Sequence, residues 1–176
     1  MRHGLDDERF VGGWSDVDLI QEGVVQVKAS TKFILENNLK IKKIISSDIK
    51  RARTTSEIVN KELNLEIKYT KLLRELDKGD LTGKEKTILE QYTTKEINFC
   101  YPNGESMLEF YNRIKKDLQT ILSEDNTLII THRGVINMIY FILNDLEVST
   151  NKEKFSVSHA SIHEYDPILK KIKKIY

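Results

Sequence analysis

The chain has one cysteine and two prolines in 176 residues, and no apolar run long enough to cross a bilayer. A lone Cys100 excludes an intramolecular disulfide and leaves no companion for a thiolate metal site. It reads as a small, partly buried side chain. The N-terminus lacks the apolar core of a signal peptide, so a cytoplasmic location is expected and no membrane partner. Charge of one sign is also missing: 28 Lys and Arg face 27 Asp and Glu, a formal net charge of +1. That balance gives no general attraction to nucleic acid, and partners must be read from local charge. The lysine-rich end "KKIKKIY" reads as an exposed strand protected by its charge.

What is present is an alternation of elements without internal repeats. Residues 19–39 place Val24, Val27, Phe33 and Ile34 among polar neighbours, an amphipathic helix. A β-rich run at 41–46 leads into "KRARTTSEIVNKEL", a helix starting at or just after Ser47 and Asp48, both good N-cap types. "EIKYTKLLREL" reads as a short strand and a leucine-bearing turn, and "GKEKTILEQYTTKE" as an exposed helix. Pro102, Asn103 and Gly104 precede a long helix carrying Leu108, Tyr111, Ile114, Leu118 and Leu122. The order strand, polar turn, helix then repeats in "NTLIITHRGVINMIYFILND", with 128–130 as the strand, and two strands flank a turn at Asp166 and Pro167. Strands alternating with helices imply an α/β fold, a three-layer α/β/α sandwich around a mostly parallel sheet. Residues 1–176 are expected to form one domain, with a small cap-like insertion around 78–104.

In such sheets ligands gather at the carboxyl ends of the strands. One polar turn carries Ser46, Ser47, Asp48, Arg51 and Arg53, and another Thr131, His132, Arg133 and Gly134. If "MRHG" were a third, two histidines and several guanidiniums would converge, a grouping suited to phosphate. Taken singly, each residue has an ordinary explanation. Arg51 can be a solvated helix residue, Glu75 a surface carboxylate, His132 a helix cap and His3 a frayed end. Trp14 reads as a packing residue. His159 and His163 form an "HxxxH", but on a strand that spacing holds both on one face far apart, so no metal site is expected.

The ordered set resembles the histidine phosphatase superfamily, also called phosphoglycerate mutase-like, and its short phosphatase-type branch. "RHG" at Arg2, His3 and Gly4 is similar to the signature whose histidine becomes phosphorylated; Gly13, Trp14, Asp16, Leu19, Gly23 and Gln26 follow the family's next stretch. "IISSDIKRARTTSEIV" makes Arg51 the second phosphate arginine, "LLRELDKGDLTG" places the proton-donating acid at Glu75, "PNGES" and Arg113 match a later helix, and "IITHRGVIN" supplies His132. The resemblance implies hydrolysis of a small phosphorylated metabolite through a phosphohistidine at His3, without metal or cofactor. Arg2, Arg51 and His132 would hold the phosphoryl oxygens. Glu75 would act as acid and then as base. Mutase-type transfer and non-catalytic phospholigand binding are the alternatives.

Four departures mark this chain. The family places a strand of several residues before "RHG", so the first strand is expected to be missing or truncated, with further residues upstream of Met1. Asp6, Asp7, Glu8 and Arg9 replace a stretch that often holds a phosphate-binding asparagine, which makes Arg9 a possible further phosphate contact. Leu5 stands where mutases commonly carry an acid, which weakens the mutase reading. Arg133 replaces a common glycine and either adds charge at the rim or points away. Substrate choice falls to the 78–101 region, with Lys84, Lys86, Tyr92 and Lys95. Oligomeric state is not legible.

Overall fold

The computed structural model describes residues 1–92, 96–151 and 154–176. Three parallel strands, β1 (Lys43–Ser47), β2 (Ile67–Thr70) and β3 (Thr127–Ile130), form a sheet in the order β2-β1-β3. Ile44 stands opposite both Ile67 and Leu128. Helices α1 (Gln21–Glu36) and α2 (Lys50–Leu63) cover one face, and α3 (Met107–Leu122) and α4 (Arg133–Leu143) the other. The two-residue period of the strands distributes their side chains: Ile44, Leu128 and Ile130 join Val27, Ile34 and Val59 in one core. Ile45 and Ile129 turn the other way, against Phe110, Ile114, Val135 and Phe141. This is the expected α/β sandwich. An antiparallel hairpin, β4 (His163–Asp166) and β5 (Lys171–Lys174), encloses the turn at Pro167.

Local chemistry sets the helix boundaries. Ser106 and Glu109 form a reciprocal capping box at the start of α3, with Ser106 Oγ accepting from Glu109 N at 3.1 Å and Glu109 Oε2 from Ser106 N at 2.8 Å. Asn64, in the left-handed region at φ 50°, ends α2. α2 begins just after Ser47 and Asp48, as expected, but Ile49 occupies the N-cap position and no side chain caps it. Ser47 and Asp48 are engaged elsewhere. Ser47 Oγ lies 2.9 Å from His132 Nε2, and the Asp48 carboxylate takes a two-pronged ion pair from Arg74 at 2.7 and 2.6 Å. Cys100 is also a correction: it is exposed, with Sγ 3.3 Å from Glu109 Oε2. Lys86–Tyr92 is a 3-10 helix rather than an α-helix, and Lys95 lies outside the described residues.

The opening residues are ordered. Met1 N donates to Ile129 O at 2.7 Å, Thr131 N to Met1 O at 3.0 Å and His3 N to Thr131 O at 2.9 Å, a short parallel extension beside β3. On its other side Arg2 N donates to Ser161 O and Ala160 N to His3 O, each at 3.0 Å. Three residues thus occupy the position of the expected first strand. Beside them a cavity of about 500 Å³ is lined by residues of β3, β4 and β5. Close approach to α1 holds the segment in place. A Cβ on Gly4 would lie 2.5 Å from Gly23 O, and one on Gly23 would lie 2.7 Å from Leu5 N, so only glycines let these backbones touch.

Candidate active site

The end of β1 delivers Ser47 and the first turn of α2 delivers Arg51; the end of β3 delivers Thr131 and His132; the Met1 segment delivers Arg2 and His3. All three polar turns meet. The His3 and His132 ring centroids are 5.2 Å apart. Arg2, His3, Arg51 and Glu75 line one cavity of about 160 Å³, open to solvent.

His3 has an assigned tautomer. Its Nδ1 lies 2.7 Å from the carbonyl oxygen of Gly4, which can only accept, so the ring proton sits there. Arg51 Nε donates to His3 Nε2 at 3.2 Å, which requires a lone pair on that nitrogen. Burial, then Arg51, His132 and Arg2, hold the His3 pKa well below its ordinary value, and the ring is neutral at physiological pH. The result is an unprotonated Nε2 among cations.

The cations are buried as well. Arg51 is 2% exposed and Arg2 7%. Arg51 Nη2 donates to Gly13 O at 2.9 Å, with the Asp6 carboxylate 3.5 Å from Nε. Arg2 Nη1 donates to Val157 O at 2.8 Å and Nη2 contacts His159 Nε2. Burial lowers both guanidinium pKa values, Arg2 to about 10, and arginine keeps its charge in proteins. Burial also pushes the Asp6 carboxyl upward, against the pull of Arg51. His132, lowered first by burial and then by Arg51 and Arg2, is neutral. Arg2 Nε, Arg51 Nη1 and His132 Nδ1 are buried and have no hydrogen-bond partner. Such orphaned polar atoms are costly, at about 1–3 kcal/mol each, unless a ligand satisfies them.

Glu75 sits on a loop fixed at several points. Its Oε1 accepts from Leu76 N at 2.9 Å and its Oε2 from Gly134 N at 3.0 Å, so the carboxyl group spans from its own loop to the N-terminus of α4. Trp14 Nε1 donates to Glu75 O at 2.7 Å, and Arg74 stacks on the Trp14 ring at 4.6 Å. Arg113 Nη2 reaches Glu75 O at 3.2 Å, while Arg113 forms a two-pronged pair with Glu105 at 2.7 and 2.9 Å. Glu105 Oε2 in turn accepts from Asp77 N at 3.1 Å. Trp14, expected to be a packing residue, is 38% exposed, and its contacts with Glu75 O and Arg74 position the loop of the acid.

Arg9 lies apart from this set: its side chain is 80% exposed and pairs with Asp7 at 2.6 Å. Arg133, Lys78 and Lys86 line the cavity; Lys84 contributes a carbonyl to Val11 N at 2.8 Å. Sequence reasoning missed His159. It falls in a turn, not a strand, and its ring centroid is 5.8 Å from that of His3. His163 is engaged separately, with Tyr140 Oη and Ser161 Oγ each at 2.9 Å. No local pattern signals His159, because a 156-residue separation from His3 is closed by tertiary contacts, among them the pairing of Ala160 and Ser161 with the Met1 segment.

Known proteins resemble this chain in sequence and in fold. The chain is 30% identical over 154 residues to human 6-phosphofructo-2-kinase/fructose-2,6-bisphosphatase 3, covering 80% of this chain and 28% of that protein. It thus spans less than a third of that relative. A broad-specificity phosphatase of Saccharomyces cerevisiae is 27% identical over 152 residues, 79% of this chain and 66% of its own length. The fold matches that of an alpha-ribazole phosphatase from Shigella flexneri, with TM-score 0.80 at 19% identity over 99% of this chain and 92% of the other. A mycobacterial glucosyl-3-phosphoglycerate phosphatase has TM-score 0.80 at 19% identity, covering 98% and 94%. The model of the histidine phosphatase superfamily (branch 1) matches residues 1–173. By that match, the chain belongs to the histidine phosphatase superfamily.

Proposed function

We propose that the protein is a metal-independent phosphatase that hydrolyses a small phosphomonoester through a phosphohistidine at His3. The observation that carries this reading is the pairing of a lone pair on His3 Nε2 with three orphaned nitrogens on Arg2, Arg51 and His132. On this reading the oxygens of a phosphoryl group against Nε2 are what these three nitrogens hold. The reading requires the tautomer in which the Ser47 hydroxyl donates to His132 Nε2, so that the His132 proton sits on Nδ1 and makes that nitrogen a donor.

In the first step the Nε2 lone pair forms a bond to phosphorus, the bond from phosphorus to the ester oxygen breaks, and Glu75, protonated, gives its proton to that oxygen. Charge on the equatorial oxygens is met by donors fixed before the reaction starts. In the second step water attacks phosphorus, its proton passes to the Glu75 carboxylate, the P–N bond breaks and inorganic phosphate leaves. Neutral His3 and protonated Glu75 are restored. The test is an alkaline quench of the protein with a ³²P-labelled phosphomonoester in the presence of chelator. An acid-labile, alkali-stable label that disappears in His3→Ala supports the reading; hydrolysis retained by His3→Ala overturns it.

A further inference from the structure

We propose that His159 is a positioning residue of the site: its ring Nε2 accepts from a terminal nitrogen of Arg2, fixes the plane of that guanidinium and keeps it from pairing with Asp6 and Glu8, so that its charge stays available to a phosphoryl group. This rests on the phosphatase reading above and deepens it. A guanidinium can only donate, so its contact with His159 Nε2 requires a lone pair there and puts the ring proton on Nδ1. The other terminal nitrogen, Nη1, donates to Val157 O at 2.8 Å. One loop therefore grips both prongs of a planar fork. The direction of Arg2 Nε, buried without a partner, follows from that grip.

The loop is anchored on both sides of His159. Lys174 Nζ donates to Ser158 Oγ at 2.9 Å and Ser30 Oγ to Ala160 O at 2.7 Å, while Ala160 N donates to His3 O and Arg2 N to Ser161 O, each at 3.0 Å. Ala160, at φ 55° in the left-handed region, turns the chain directly after His159. The ring lies where two acids compete for Arg2, with Nε2 3.8 Å from Asp6 Oδ1 and 4.0 Å from Glu8 Oε1. Both acids attract the Arg2 guanidinium, as Glu75 does, yet among the described residues neither forms an ion pair with it. Asp6 stands instead 3.5 Å from Arg51 Nε. The acceptor that Arg2 does have is uncharged: burial, then Arg2, Arg133, Arg51 and Lys86, hold the His159 pKa at about 3. A carboxylate in that place would offset the charge of the arginine. A neutral ring orients the guanidinium and leaves its charge in place.

The test reads the Kd for inorganic phosphate by calorimetry and kcat for 4-nitrophenyl phosphate, on variants whose folding is checked by Tm. His159→Phe keeps a ring and lacks the acceptor; it should weaken phosphate binding about tenfold and lower kcat by about tenfold or more, the loss of a charge-assisted contact. His159→Gln lacks the ring and keeps an uncharged acceptor, and should stay within about threefold of the parent on both. A packing role alone predicts the reverse order. His159→Ala opens the way from Arg2 to Asp6, so adding Asp6→Asn there should restore more phosphate affinity than Asp6→Asn gains in the parent. If His159→Ala does not fold, the contrast between His159→Phe and His159→Gln decides alone. Phosphate affinity retained by His159→Phe, or an Asp6→Asn effect equal in both backgrounds, overturns the proposal. Phosphate bound with the expected pattern but no ester hydrolysed sinks the phosphatase reading alone. Hydrolysis without the pattern sinks this inference alone, and a chain that neither binds nor hydrolyses removes both.

Discussion

Gly134→Ala separates the chemistry from the fold. Gly134 lies in the first turn of α4, where alanine gains up to about 1 kcal/mol in helix propensity. A Cβ there would lie 2.9 Å from Glu75 Cδ and nearer still to Oε1, whereas ordinary contact begins at 3.4 Å. The carboxyl group must therefore retreat by at least half an ångström, and Oε1 by on the order of 1 Å, which strains the bond between Gly134 N and Oε2. A misplacement of about 1 Å can cost a hundredfold in rate. The same Cβ would lie 2.9 Å from Phe110 Cε1, an overpacking cost of about 1–3 kcal/mol against the propensity gain. Net stability should change by less than about 2 kcal/mol, a shift of several degrees in Tm at this chain length.

The assay compares kcat for an alkyl phosphate and 4-nitrophenyl phosphate. The alkyl ester, whose oxygen needs the proton, should lose about a hundredfold; nitrophenolate leaves unaided and should lose less than about tenfold. Equal losses on the two esters would refute the placement of Glu75 as acid. So would alkyl turnover within a factor of three of the parent in a folded variant.

Three further perturbations probe the supports. Trp14→Phe keeps the ring beneath Arg74 but removes the donor to Glu75 O; the alkyl-ester kcat should fall several-fold while urea denaturation shifts by only about 1 kcal/mol. Arg113→Lys loses the planar pair with Glu105 and the reach to Glu75 O, so both Tm and alkyl-ester kcat should drop, and an unchanged kcat would show the loop to be held by other contacts. Burial lowers the pKa of His159 and of His163 from 6.5 to about 3, so the unfolded chain binds protons that the folded chain refuses between those values. Stability is therefore complete above pH 6.5 and declines toward pH 3, with a lower urea midpoint at pH 5 than at pH 7.5. The double variant His159→Gln, His163→Gln should narrow that difference.

The fold was legible where local chemistry and tertiary need agree. The capping box at Ser106 and the alternation in β1 and β3 each read directly from the chain. The cap of α2 did not, because Ser47 and Asp48, suitable caps in isolation, are drawn away by His132 and Arg74. Arg2, His3, Arg51, Glu75 and His132 line up in sequence as motifs, but their support is scattered. Gly134 and Arg113 reach Glu75 from 59 and 38 residues away, and no window of sequence shows that contact. Arg9 illustrates the reverse: a suitable charge near the signature is captured by Asp7 two residues earlier.

The way this site is buried bears on how it works. Two guanidiniums and two histidines lie together out of water, an arrangement that an open surface would stabilise better. The fold answers part of that cost by keeping both rings neutral and part by aiming Gly13 O and Val157 O at the arginines. What it leaves unanswered are Arg2 Nε, Arg51 Nη1 and His132 Nδ1, each buried without a partner. A dianionic ligand completes them in the ground state, and the transition state, with charge spread over more oxygen atoms, completes them better. On this argument removing one orphan should weaken phosphate binding less than turnover. His132→Gln is the variant that measures it: a Kd for inorganic phosphate raised by less than about tenfold, beside a kcat lowered by about a hundredfold or more, is the expected split. Equal effects on both would mean that His132 serves binding alone.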